Sequence, residues 1–397
     1  MRIVLFYSEV ESFNYFSDVL AAQLQARGHE AFIFDLTNPG SGGVHSLDHF
    51  IPFISKKVDM VICFDGLGIL DDVYVDIWNE HQAAVMDLMM DPPIRFHPVF
   101  RKHPRNYHLL CCDRDHIEYV KKYFSKEVSD IRFMPHAGTL PSRDEPVIPY
   151  ASRSYDILFS GTYYRYQDEF MKLKSVFSVE PGTKLYSFYE QMFGNLTKDS
   201  HLTIDQAFCL TMDQCGWTGS EDMVKRMLAF SEPVDWAVRM YYRERVITVL
   251  AEAGLRIHLL GRGWENYPLI DRPNVYHIDE RVPFAETLPF MADAKLCLNV
   301  FPWFKSGSHD RIFNTFLQHS LPLTDYSHWI ADHFTDGVDI AMYDLAHLER
   351  LPGIVEPLLA DSALAEHMIQ KGYEKVSRDY TWANCVDRIM EVCGKSE

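Results

Sequence analysis

Apolar and polar positions along the chain alternate between two patterns. The first is the short, unbroken apolar run that suits a strand buried on both faces. It appears at 2–7 (RIVLFY), 31–36 (AFIFDL), 58–65 (VDMVICFD), 83–91 (AAVMDLMMD) and 107–113 (YHLLCCD). The second has apolar residues at helical spacing. In SFNYFSDVLAAQLQARGHE, Phe16, Val19, Leu20 and Leu24 share one face and Gly28 supplies a stop. Strands that take turns with helices predict a parallel, doubly wound sheet.

The segment at 135–154, PHAGTLPSRDEPVIPYASRS, holds four prolines and reads as a linker between domains. After it the pattern restarts with YDILFSG, RIHLLGRG, AKLCLNVF, LPLTDY and the short IAMYD. A polar, helix-like insert at about 163–235 interrupts this second region, and TWANCVDRIMEVCGK reads as a terminal helix. The predicted fold class is α/β, with two Rossmann-like domains facing across a cleft. The expected boundaries are 1–140 for the first domain, 151–375 for the second, and 376–397 for a terminal helix crossing back to the first.

At 397 residues, two or three domains each have room for a core. Hydrophobic residues make up 47% and charged residues 24%, the balance of an ordinary globular protein. A net charge of −18 argues against a broad nucleic-acid surface and against a polybasic hold on anionic lipid. The opening MRIVLFYSEV is too short in its apolar run for a signal peptide, and no stretch suits a membrane span. The expected location is therefore cytoplasmic. Eight cysteines without a C-x-x-C read as buried, reduced thiols, not as a zinc site.

Open parallel sheets bind ligands beyond the carboxyl ends of their strands. In the second region those ends carry Gly161, Thr162, Tyr163, Tyr164 and Arg165; then Gly261, Arg262, Gly263, Trp264 and Glu265; then the loop Lys305, Ser306, Gly307, Ser308, His309 and Asp310; and Asp325 with Tyr326. The loop precedes a helix, RIFNTFLQHS, predicted to bury Ile312, Phe313, Phe316 and Leu317 while Arg311, Asn314 and Gln318 line its other face. A small-residue loop before a helix suits an anion, because the helix N-terminus offers free N–H groups and partial positive charge. Lys305 and Arg311 add charge, and Asn314 stands one turn in, at ribose distance. Simple N-capping by Ser308 or Asp310 explains the same loop, and core packing the same tryptophan. The first strand lacks G-x-G-x-x-G, and the chain has no Walker A, no G-x-S-x-G, no H-E-x-x-H and no D-x-D.

These residues carry a resemblance. GSHDRIFNTFLQHSLPLTDYSHWIADHFTDGVDIAMYDLAHL resembles the nucleotide-sugar-binding half of GT-B glycosyltransferases, closest to the bacterial spore-maturation-like (CgeB-type) family related to the group-1 enzymes. The matching positions are Arg311, Leu323-Thr324-Asp325, Phe334, Asp336-Gly337, Asp339-Ile340 and Tyr343-Asp344, with the final YTW. The chain departs from the family at three places: Asn314 replaces the acid that holds the ribose, His319 replaces a turn glycine, and Ser306 stands where group-1 enzymes place a sugar-contacting acid.

The resemblance implies glycosyl transfer from a nucleotide sugar, UDP before GDP or dTDP, to an acceptor that is a glycan, a protein or a small molecule. Lys305, Arg165 and helix N–H groups would neutralise the leaving diphosphate, so neither a cofactor nor a metal is expected. An inverting enzyme would take its base from the first domain, Asp91 in MMDPP or His136 in MPHAG; family likeness leans to retention. A nucleotide-sugar epimerase of the same fold and a degenerate, non-catalytic binding partner stay open as alternatives.

Overall fold

The computed structural model describes residues 1–40, 42–141, 146–279 and 282–394. The chain forms two compact units. The first comprises Met1–Ala137, Pro283–Ala285 and Asp379–Glu397; the second comprises Gly138–Val282 and Glu286–Arg378.

The first unit is a six-stranded parallel sheet: β1 (Arg2–Tyr7), β2 (Glu30–Asp35), β3 (Met60–Phe64), β4 (Ala84–Met89), β5 (Tyr107–Cys111) and β6 (Ile131–Phe133), in the order β2-β1-β3-β4-β5-β6. Every residue of β3, β4 and β5 is buried, which is why these strands stand out as apolar runs. Asp87 is the exception inside β4. Its carboxylate accepts from Tyr107 Oη at 2.7 Å and Gly66 N at 2.9 Å, so a fully buried acid keeps its hydrogen bonds. The terminal helix Trp382–Gly394 packs against the helix Glu11–Ala26, with the rings of Phe16 and Trp382 4.8 Å apart. Arg27 pairs with Asp387 at 2.8 Å across the same contact.

The second unit repeats the architecture with β7 (Tyr155–Ser160), β8 (Ile257–Leu260), β9 (Val275–Asp279), β10 (Ala294–Asn299), β11 (Leu321–Asp325) and β12 (Ala341–Tyr343). Their order is β12-β11-β10-β7-β8-β9, again all parallel. The chain runs outward from β7 to β9, then returns to β10 on the other side of β7. The strand order therefore reverses between β7 and β10, the place where such sheets open a ligand crevice. Helices Tyr166–Ser175, Lys184–Lys198, Ile204–Cys215 and Glu221–Ala229 lie between β7 and the long crossover helix Glu232–Glu252.

Two strands, β6 and β9, are absent from the sequence reading. Both are edge strands, and β6 is three residues long. Their described residues are mostly half-buried or exposed, so neither shows a continuous apolar run. The proline-rich segment contains the boundary between the two units, after Ala137; its residues 142–145 lie outside the described ones. Past that boundary it is fastened to the second unit. Thr139 is clamped to the helix Asp310–Leu317 by Asn314 Oδ1, which accepts its N–H at 2.9 Å, and by Gln318 Nε2, which donates to its carbonyl at 2.9 Å. Tyr150 is buried and donates to Leu358 O at 2.9 Å. Among the described residues no helix is long and apolar enough to cross a membrane.

Two glycines probe the packing of the second unit. A Cβ on Gly372 would lie 2.0 Å from the Phe316 ring, whereas one on Gly194, inside the helix Lys184–Lys198, meets nothing within 4 Å. Gly372→Ala is expected to cost about 1–3 kcal/mol through overpacking, and Gly194→Ala to add about 0.5–1 kcal/mol. Urea midpoints at constant slope measure both.

Candidate functional site

The carboxyl ends of β7 and β8 are joined by their backbones. Gly161 N donates to Leu260 O at 2.8 Å and Tyr163 N to Arg262 O at 2.9 Å. Approach this close leaves no room for side chains. A Cβ on Gly261 would fall 2.4 Å from Gly161 O, and one on Gly263 2.0 Å from Tyr163 O; Gly263 also has φ +84°. Trp264 is wholly buried, and its Nε1 donates to Gly161 O at 2.8 Å. It is therefore core and offers no stacking platform, which corrects its place among the expected ligand-binding residues. Thr162 turns its carbonyl to Arg243. Arg262 and Arg165 are both exposed, Arg165 at the start of the helix Tyr166–Ser175.

The expected phosphate loop is also built differently. The helix after it begins at Asp310 and is capped by His309, whose Nδ1 accepts from Arg311 N at 3.2 Å; neither Ser308 nor Asp310 is the cap. Lys305 Nζ donates to the carbonyl of Ser200, in the helical insert. Gly307 accepts from Ser327 Oγ at 2.6 Å, and Ser306 is half-buried beside it. Asp310 is engaged by His309 at 2.8 Å and by Asn314 Nδ2. Asn314 is fully buried beneath Thr139, so the polar helix face predicted to meet a ribose is already covered. Where the family has a turn glycine, His319 holds φ at 57° and stacks on Tyr373 at 4.1 Å. The left-handed turn persists without its glycine.

The positive charge sits deeper. Arg311 reaches from the helix start to the end of β10, where its NH1 donates to Asn299 Oδ1 at 2.6 Å. Arg239 and Arg243 come from the crossover helix, one turn apart and both buried. Arg239 lies 3.8 Å over the Trp303 ring and pairs with Asp235 at 3.0 Å. Among the described residues neither Arg243 nor Arg311 forms an ion pair, although the Asp310 and Asp325 carboxylates act on Arg311 from farther off. Both lie on the Phe159 ring of β7, at 5.1 Å and 5.5 Å from its centroid. Burial, with the charges of Arg311 and Arg239, pushes the Arg243 guanidinium down to about 9. Burial likewise lowers Arg311. Ser308 Oγ, wholly buried in the loop ahead of the helix, has no hydrogen-bond partner. A buried cation without a carboxylate, Arg243, a second guanidinium outside any ion pair among the described residues, Arg311, and an orphaned hydroxyl at the β7/β10 crevice are the marks of an anion-binding site.

Sequence reasoning missed Arg239 and Arg243. The signal was present: they share a face with Val246, Ile247 and Leu250, and a basic residue within a buried stripe needs a reason.

Residues 243–391 match the model of a family described as glycosyl transferase-like. No curated protein sequence matches the chain. Similar solved structures include sucrose-phosphate synthase from Thermosynechococcus elongatus (TM-score 0.52, 10% identity, 100% of this chain and 98% of that one). A glycosyltransferase from Rickettsia africae ESF-5 (TM-score 0.53, 7% identity, 99% and 98%) and HepE of Anabaena in complex with UDP and glucose (TM-score 0.50, 9% identity, 100% and 100%) are also similar. The fold is that of the GT-B glycosyltransferases.

In the first unit, Asp91 follows β4 and pairs with Arg95 at 3.2 Å. His136 is buried and lines a small apolar pocket with Met90, Cys112, Met134 and Trp382. A third group went unnoticed in the sequence. Asp65, at the end of β3 with φ 51°, accepts from Met90 N at 2.7 Å and so fixes the loop that carries Asp91. Burial and the Asp91 charge push its carboxyl well above the usual range.

Asp325, at the end of β11, allows a test. Burial raises its carboxyl to about 7, against the Phe301 N–H and the charges of Lys305 and Arg311. An unfolded Asp releases its proton near pH 4. Between about pH 4 and 7 the folded state therefore holds a proton that the unfolded chain has lost, and stability falls as pH rises through this window. Asp325→Asn is expected to remove that slope. Urea melts from pH 4.5 to 8 check it, and parallel stability–pH curves for the two proteins would contradict it.

Proposed function

We propose that the protein transfers a sugar from a UDP-sugar to a hydroxyl acceptor, with the second unit holding the donor and the first the acceptor, and with no metal. The observation that carries this reading is the pair Arg243 and Arg311, one guanidinium buried and one half-buried on one ring at the β7/β10 crevice, neither in an ion pair among the described residues. A diphosphate supplies the missing charge and accepts several N–H bonds from rigid forks. The fold also accommodates such a ligand, since HepE of Anabaena was solved with UDP and glucose. We further place the chain in the bacterial spore-maturation-like group, on the motif from Arg311 to Asp344 and the final YTW.

In the reaction, the acceptor oxygen bonds to the anomeric carbon as that carbon's bond to the β-phosphate oxygen breaks, and the electron pair leaves with UDP. The acceptor proton passes to the leaving diphosphate if configuration is retained, or to Asp91 or His136 if it is inverted. Arg243 and Arg311 stabilise the charge that grows on the leaving group, the part a metal plays in other enzymes. Turnover is therefore expected to survive EDTA; activity lost in EDTA and restored by magnesium or manganese would overturn metal independence.

Arg243→Met gives the most discriminating test of the donor site. Loss of a hydrogen bond to a charged group typically costs ~1.5–3 kcal/mol, so UDP affinity should fall about 10- to 100-fold while uridine affinity holds. The same substitution removes an uncompensated buried charge, so the ligand-free protein should melt at the same temperature or higher. Calorimetric titration and melting measure the two effects. UDP affinity unchanged in Arg243→Met would remove the basis of the reading.

A further inference from the structure

Arg311 owes its place to the helix Asp310–Leu317, and that helix is seated on the two residues that follow Ala137, Gly138 and Thr139. Gly138 lies against the helix backbone: a Cβ there would fall 2.8 Å from the carbonyl carbon of Phe313 and 3.0 Å from Asn314 N. Approach this close leaves room for glycine alone. Thr139 is held through its N–H by Asn314 Oδ1 and through its carbonyl by Gln318 Nε2, one turn on, each at 2.9 Å. Both holding side chains are buried, Asn314 wholly.

Asn314 has a second task. Its Nδ2 donates to Asp310 O at 3.0 Å and to Asp310 Oδ2 at 3.3 Å, back in the first turn beside Arg311. One side chain thus joins Thr139 to the residue before Arg311. The join takes a group that accepts at one end and donates at the other, as an amide does. A carboxylate at 314 would still accept from Thr139 N, but it could not donate to Asp310 and would set a second negative charge against it. An acid at 314 and an acid at 310 therefore exclude each other, and in this chain the acid stands one turn earlier than the resemblance would have it. Burial lowers the Arg311 guanidinium, and the Asp310 charge that Asn314 holds in place opposes that shift.

We propose that Asn314 is a positioning residue for the donor site: by joining Thr139 to Asp310 it sets where the helix presents Arg311, and it touches no part of the donor itself. The proposal rests on the donor reading above and deepens it. It gives position 314 a part other than ribose contact, because both ends of the amide are already engaged inside the protein.

Calorimetric titration with UDP and with uridine compares wild type, Asn314→Asp and the exchanged pair, Asp310→Asn together with Asn314→Asp. In the exchanged pair the amide at 310 donates to the carboxylate at 314, which still accepts from Thr139 N, so the join is remade with the same net charge. Asn314→Asp is expected to lower UDP affinity about tenfold and to leave uridine within about twofold, and the exchanged pair to return UDP to within about threefold of wild type. Where Asn314→Asp is unfolded, the exchanged pair decides: UDP affinity near wild type supports the proposal, and a folded protein that binds UDP tenfold more weakly overturns it. UDP and uridine affinities that change together in Asn314→Asp would assign the residue to the ribose, and UDP affinity equal to wild type would show Arg311 placed without it. Either result overturns the proposal and leaves the donor reading standing. Wild type that does not bind UDP sinks the donor reading itself, and this proposal with it.

Discussion

A buried positive charge without a negative partner is the constraint around which the second unit is organised. Arg243 and Arg311 come from different helices and meet on the Phe159 ring at the point where strand order reverses. Taking a guanidinium out of water costs several kcal/mol unless something restores its interactions. Arg239, a turn away, is offset by Asp235 and Trp303, whereas Arg243 donates to Thr162 O and the Met240 sulfur, and Arg311 donates to Asn299 Oδ1 with Asp310 and Asp325 farther off. The loops around them are correspondingly stiff. Gly161, Gly261 and Gly263 allow backbone to lie on backbone, Trp264 ties the turns, and the clamp on Thr139 holds the helix that carries Arg311. A site built this way is charged and rigid before any ligand arrives, which lowers the reorganisation that binding and transfer require.

The architecture was legible because strands buried on both faces must be apolar throughout. β1, β3, β4, β5, β7, β8, β10 and β11 were visible for that reason; of the edge strands, β2 and β12 were read and the half-exposed β6 and β9 were not. The motif that resembles the spore-maturation-like group is, in the structure, mainly a set of internal fastenings. Asp339 accepts from Thr335 N at 2.6 Å, Asp336 from Met342 N at 2.8 Å, and Tyr343 donates to Asn299 O at 2.7 Å. Such residues report a fold more directly than a ligand.

The site was less legible, because chain position says where a residue is and not where its side chain goes. The loop at 305–310 is at the expected edge, yet Lys305 turns to the insert and Asn314 to Thr139. The two arginines of the crossover helix lie more than 60 residues before that loop and reach the same crevice only through the sheet topology. Their clue was physical: arginine within an apolar helical stripe. Asp65 escaped notice because its part depends on a left-handed backbone and a bond to the next strand's loop.

The central claim is that the paired guanidiniums await a diphosphate, and a crystal structure of the protein with UDP tests it most directly. The account predicts phosphate oxygens at about 2.7–2.9 Å from guanidinium nitrogens of both Arg243 and Arg311, the usual length of a charge-assisted bond. UDP bound elsewhere, with Arg243 still held only by the Thr162 carbonyl, would contradict it.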